Sequence, residues 1–346
     1  MQRFGDDICQ YVPKLVESYA SFQKVKRVPK RTFSMLFPTT YPFLEKRTST
    51  DIDVDEAMLE TAALLSAALT SKKPLYFDAS VVDVPGVLLQ ALKVGDSVLK
   101  GEAFPYSWTS LHVSHHRFAM TALQRIQEVL VLSLPDIYAP DAAEAFEFDT
   151  VIWRAFFDTL FTAVNSPALA METFPEQKRR AIWKIAGDVR EMGANLLKRS
   201  WEAIGWEAEE DSRKLHGFAR MGGYQVQFVP ELVAPIVELC LSMHASLRTV
   251  AIEVLRSMIV SAWEIDQDLD LIQTAMIECL DRLCREKQVS EAFLQKTFIE
   301  EMRAQFEPLR TSSEHELYQS IMDMFTRIEE LLTLCLLYTS PSPRDS

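Results

Sequence analysis

The sequence predicts an all-α fold, an irregular armadillo- or HEAT-like α-solenoid of stacked antiparallel helices. Apolar residues recur at three- and four-residue steps along most of the chain, and only 10 glycines in 346 residues make it helix-rich and loop-poor. Successive helical stretches are joined by short connections, which favour antiparallel neighbours. The strand-like string LYFDASVV is too short and solitary to found a sheet. Because each helix pair leaves an apolar face uncovered, stacking pairs in a row is the economical arrangement. No repeat of fixed period is visible, so the repeats are expected to be irregular.

The clearest unit runs from Phe228 to Trp263 and reads as two helices joined by a tight turn. In its second helix Leu247, Ala251, Val254, Met258 and Ala262 form one stripe. Val250, Ile252, Leu255, Ile259, Val260 and Trp263 add apolar surface elsewhere, so this helix expects cover on several sides. Ser246 is the expected N-cap, because a short side-chain oxygen can accept from a first-turn amide. In the first helix Pro235 either bends the helix or marks its start.

Taken in order, residues 7–23 suit an amphipathic helix, followed by a basic, proline- and aromatic-containing connector over 24–47. Asp53 and Glu56 have capping-box spacing ahead of a helix ending near Ser71. Helices are expected from about Val84 to Leu99 and from about Thr109 to Leu134. Asp141 with Glu144 opens another, carrying Phe148, Ile152, Phe156, Leu160 and Ala163 on one stripe. Thr173 and Glu176, with Pro175 between them, precede what reads as the longest helix, continuing to about Ile204 and ended by Gly205. The acidic, glycine-containing stretch 207–223 is the expected internal boundary, with YQVQF locally extended. Three further helices are lined by Ile272, Met276, Leu280 and Leu283; by Phe293, Leu294, Phe298, Met302 and Phe306; and by Leu317, Ile321, Met324, Ile328 and Leu331. Ser290 caps the second of these, and Ser313 with Glu316 the third.

No catalytic constellation stands out. A formal charge of −13 argues against a phosphate-binding surface for nucleic acid. Cys9, Cys240, Cys279, Cys284 and Cys335 are odd in number and scattered, which reads as reduced core thiols. His112, His115 and His116 lack a neighbouring carboxylate or thiol at ligand spacing and read as exposed helix-start residues. Glu207, Glu209, Glu210 and Asp211 form a consecutive run that fans outward, as a solvated loop does. Gly222 and Gly223 precede Tyr224 instead of a phosphate-loop lysine. Trp153, Trp183, Trp201 and Trp263 sit at helical spacing, where core packing is the common role. No catalytic residue, cofactor-binding residue or metal ligand is assigned, and no cofactor is expected. No apolar run approaches the ~20 residues a membrane span requires, and the N-terminus has no signal-peptide core. The expected compartment is the cytoplasm.

The strings RTFSMLFPTTYPFL (31–44), FPEQKRRAIWKIAGDVREMGANLLKRSWEAIGWE (174–207) and GYQVQFVPELVAPIVELCLSMHASLRTVAIEVLRSMIVSAWE (223–264) resemble fungal members of the dedicator-of-cytokinesis (DOCK) family. The resemblance covers about residues 25–310. It implies an armadillo-like segment between an upstream phospholipid-binding domain and a downstream DOCKER region, which exchanges GDP for GTP on Rac-type Rho-family GTPases. Neither neighbour is matched, so the segment itself is expected to be non-catalytic. The parent's implied partners are a Rho-family GTPase, adaptor proteins and membrane phospholipid, with peripheral membrane recruitment possible. A free-standing HEAT- or armadillo-type interaction scaffold is the alternative.

The expected layout is an N-terminal helix and connector over 1–50, a first solenoid half over 51–206, a linker over 207–223 and a second half over 224–333. From 334 onward, LCLLYTSPSPRDS resembles a translated sequencing adapter, so the chain is expected to be a fragment. A solenoid cut at both ends exposes faces its next repeats would cover. Residues 1–333 alone are therefore expected to self-associate in light scattering; monodisperse, cooperatively melting material would count against this.

Overall fold

The computed structural model describes residues 83–100, 109–134, 148–172, 174–286 and 290–339. The expected helix over 7–23, the basic connector, the Asp53 capping box and LYFDASVV lie outside these residues. The fold is all-α, built from stacked helices, with one two-stranded pairing among the described residues. The chain divides into two compact units, Met1–Gly193 and Ala194–Ser346.

In the first unit, α1 (Val84–Leu99) and α2 (Thr109–Leu132) both pack on α3 (Thr150–Val164), and α2 also meets α4 (Glu176–Ala186). Helix α3 supplies the densest part of this core. Trp153, Phe156, Phe157 and Phe161 are all buried, with ring centroids 5.8 Å apart for Trp153–Phe156 and 5.6 Å for Phe156–Phe157, both edge-on. The stripe of Phe148, Ile152, Phe156, Leu160 and Ala163 is buried throughout. The helix starts at Thr150, where Asp149 accepts from the Ile152 amide at 3.0 Å. It does not run continuously from Asp141, because Asp149 is the cap. Thr162 donates to Asp96 at 2.9 Å and ties α3 to α1.

The long helix expected from Thr173 to Ile204 is two helices, α4 and α5 (Val189–Ile204). Gly187 separates them at φ 73°, ψ −176°, a conformation essentially confined to glycine. Asp188 then accepts from the Glu191 amide at 3.2 Å and starts α5. The apolar repeat continues across the break because both helices present apolar faces, so periodicity alone conceals the interruption. Helix α4 begins at Glu176, with Pro175 at its N-cap position and making no side-chain cap; Thr173 lies outside the described residues. In the first unit, Arg190 of α5 donates to Glu172 at 2.7 Å and to the Val164 carbonyl at 3.2 Å.

In the second unit, α5 is followed by a short pairing of β1 (Trp206–Glu207) with β2 (Arg220–Met221) that encloses α6 (Glu210–His216). The YQVQF string, expected to be extended, lies in a 3-10 turn, Gly223–Phe228. Next come α7 (Val233–Cys240), α8 (Ala245–Asp266), α9 (Asp270–Glu286), α10 (Ser290–Phe306) and α11 (His315–Thr339). Helix α7 packs on α8 and α9, α9 on α11, and α10 on both α8 and α11.

As expected of an inner helix, α8 is covered on several sides: Leu247, Val250, Ala251, Ile252, Val254, Leu255, Met258, Ile259 and Val260 are buried. Its cap is His244 and not Ser246. The His244 Nδ1 accepts from the Leu247 amide at 3.2 Å, so the helix starts two residues earlier. Pro235 stands third in α7, where its missing amide is one that no helical carbonyl would have reached. Ahead of α11, it is Ser312 and not Ser313 that accepts from the Glu314 amide, at 3.1 Å. Leu331, expected inside, is exposed. Cys240 and Cys279 are buried thiols outside any disulfide, and burial pushes the pKa of the Cys240 thiol upward.

Two outcomes follow. Phe156→Ala should cost about 3–5 kcal/mol in chemical denaturation. Gly187→Ala should destabilise by about 1–3 kcal/mol through backbone strain, whereas a continuous helix would be stabilised by the same change.

Candidate interaction surface

The second unit has a polar network where helices alone would leave unpaired groups. The last carbonyls of α5 have no helical partner. Gln225, nearly fully buried, donates from Nε2 to the Trp201 carbonyl at 2.7 Å. Ser257 of α8 donates to Gln225 Oε1 at 3.4 Å and accepts from Trp201 Nε1 at 3.3 Å. A Cβ at position 205 would lie 2.6 Å from Gln225 Nε2, so Gly205 is what lets this amide approach. The 3-10 turn thus closes the end of α5 against the middle of α8.

A second network surrounds α6. Arg256 donates to the His216 carbonyl and to Gln305 Oε1, the latter at 3.2 Å, and its guanidinium lies 4.6 Å from the Phe218 ring centroid. His216 is buried, with Nε2 at 3.2 Å from Glu314 Oε2. Burial pulls its pKa down more than the Glu314 carboxylate raises it, so the ring is neutral near pH 7. Lys198 bridges α5 to α8 through Glu253 at 2.8 Å.

Two hollows flank the β1–β2 pairing. One, of about 250 Å³, is walled by Lys198, Trp201, Phe218, Arg220 and Glu253. The other, of about 720 Å³, lies between the β1–β2 pairing and the end of α8, and includes Trp206, Glu209, Met221, Glu264 and Ile265. Trp206 is 47% exposed and meets Tyr224 edge-on at 6.4 Å.

Among the described residues no cluster of histidine, cysteine and carboxylate side chains is arranged to hold a metal ion. His115 and His116, expected to be exposed, are each only 3% exposed inside α2, with ring centroids 5.4 Å apart. His116 Nδ1 donates to the His112 carbonyl at 2.7 Å. A histidine is compatible with a buried stripe when neutral, which residue type alone does not reveal. The acidic run does face outward, with Glu207, Glu209, Glu210 and Asp211 exposed, but in a folded strand and helix. Trp153 and Trp201 are core residues; Trp183 and Trp263 are only partly covered. Gln225, Ser261 and Trp206 stand in no local pattern that marks them in the sequence. The pattern of Gly205 before Trp206 and paired Gly222 and Gly223 was the available signal for close backbone approach there.

Residues 76–302 match the dedicator of cytokinesis (DOCK) TPR region. The chain belongs to the DOCK family. It is 20% identical to dedicator of cytokinesis protein 3 of Mus musculus and of Homo sapiens over 206 residues, and 25% identical to dedicator of cytokinesis protein 4 of Homo sapiens over 207. Each match takes in 60% of this chain and 9% of the relative, so the chain spans a small part of the curated DOCK proteins it matches. The matched region includes both hollows and the Gln225 network of this DOCK segment, while Gln305 and Glu314 of the second network lie just beyond it.

Gln225→Ala should destabilise the segment by about 1–3 kcal/mol, because it leaves the Trp201 carbonyl buried without its donor; thermal or chemical melting measures this. Burial, the largest cause in each case, lowers the pKa of His115, His116 and His216. The unfolded chain therefore binds more protons in the window below the unfolded histidine value of about 6.5. Stability should be fully present above that window and decline as pH falls through it. Melting temperature between neutral and mildly acidic pH checks this, and His116→Phe should shallow the slope.

Proposed function

We propose that this segment is a non-catalytic helical scaffold of a DOCK-type guanine nucleotide exchange factor acting in Rho/Rac small-GTPase signalling. The observation that carries the reading is the match of residues 76–302 to the DOCK TPR region. Stacked helices suit such a role, since close-packed interiors resist deformation and hold flanking parts at a fixed separation. In the parent, a Rac-type GTPase would meet the catalytic region, while phospholipid and adaptor proteins would meet the upstream regions. The protein would then be cytoplasmic with peripheral membrane recruitment; among the described residues no helix is long and apolar enough to cross a membrane.

The chemistry of the described side chains supports this reading. Its polar groups include ones that serve helix ends and interhelical contacts: buried Gln225 serves the end of α5, and half-buried Thr162 serves Asp96. The expected result is that the chain leaves the rate of labelled GDP release from a Rac-type GTPase at its intrinsic value, while a longer parent protein accelerates it. Robust exchange by the chain alone would overturn the proposal.

A further inference from the structure

The larger hollow of the second unit is lined by acid and by exposed apolar surface, with no lysine, arginine or histidine among the described residues that line it. Glu207, Glu209 and Glu264 line it together with Trp206 and Ile265, which are 47% and 56% exposed. The carboxyl of Glu264 is pushed up by partial burial and then by the charges of Glu314 and Glu209. Glu209 and Glu264 therefore repel one another across this end of α8, and an arriving cation relieves their repulsion.

Ser261 supplies an independent sign of a ligand. It lies on α8 in the lining, is only 2% exposed, and its Oγ has no hydrogen-bond partner. The Ser212 Oγ on α6, also in the lining, is buried in the same state. A buried hydroxyl without a partner is costly, so a hydrogen-bonding group that reached this floor would relieve the cost. Trp206, for its part, is held in place by the backbone. Gly223 sits at φ 61°, and a Cβ there would come within 2.4 Å of the indole Cδ1. Only glycine permits this seat, and the half-exposed indole is fixed before anything binds.

We propose that this groove is a docking site for a short arginine-containing segment of a partner protein. The guanidinium meets Glu209 and Glu264 and donates toward Ser261, while the arginine's alkyl stem and a neighbouring aliphatic residue cover Trp206 and Ile265. Arginine fits better than a compact ammonium because its planar fork can bridge carboxylates while lying on an aromatic face. A paired charge on an apolar stem also matches the mixed lining, which a metal ion or an anionic lipid surface does not.

The test uses the full chain carried on a maltose-binding-protein fusion, with the carrier alone as control, and the fluorescein-labelled peptide GSGLRILRVGSG in fluorescence polarisation. Micromolar binding is expected, falling as salt rises from about 50 to about 250 mM. Glu209→Gln with Glu264→Gln, and separately Trp206→Ala, should each weaken it at least about tenfold without changing the melting temperature. Ser261→Val should weaken it by a smaller factor. The double variant Glu278→Gln with Glu300→Gln removes the same charge from α9 and α10 and should leave binding unchanged. Equal binding of GSGLEILEVGSG, equal loss in the α9/α10 variant, or no loss on altering Trp206 and Glu264 would overturn the proposal. So would sedimentation showing that Trp206→Ala abolishes a dimer of the chain, since the groove would then hold a second copy.

Discussion

Helix α8 must be covered, and the second unit is arranged around that requirement. Its buried residues, from Leu247 through Val250, Ile252, Leu255 and Met258 to Val260, point in nearly every direction around its axis. A helix of this kind has no wet face wide enough to stand at a surface, so its stability comes from neighbours and not from propensity. Helices α7 and α10 and the 3-10 turn are those neighbours. Truncated to α8 and α7 alone, the pair would leave apolar area in water at roughly 25 cal/mol per Å², which explains why units of this type occur in stacks.

Covering so much apolar surface raises a second problem, because helices end with unpaired carbonyls and loops bring polar side chains inward. The chain answers with side chains from distant segments. Gln225 closes the end of α5, and Arg256 binds the carbonyl that ends α6. In the first unit, Arg190 serves the Val164 carbonyl at the end of α3 in the same way. These bonds give register, since each is satisfied in one arrangement only, whereas sliding apolar faces past one another costs little.

Within the DOCK match, the 206–223 region differs from the helices on either side of it. It interrupts the helical stack with a paired strand, a short helix and four glycines between Gly205 and Gly223. It also presents Trp206 and the acidic wall, while the faces of α7 and α8 are closed by packing. Short irregular elements carried on a packed helical framework are the natural place for a contact surface.

Much of the fold was legible in the residues themselves. The bounds of α1 and of the start of α2, the buried stripes of α3, α8 and α9, and the membership of the DOCK family all follow from short-range periodicity and from long characteristic strings. Periodicity reports which face of a helix is dry, and that is a local property of the chain. Other features were decided only in three dimensions. The apolar repeat ran unbroken through Gly187 and hid the turn between α4 and α5, because two helices sharing a core keep the same spacing. Which of His244 and Ser246 caps α8 depended on where the preceding turn left the chain. His115 and His116 look like surface residues by type and are buried because α2 is covered where they lie. The groove joins residues some sixty positions apart, from Trp206 to Ile265. No local pattern encodes such a meeting, because it exists only once the helices have packed.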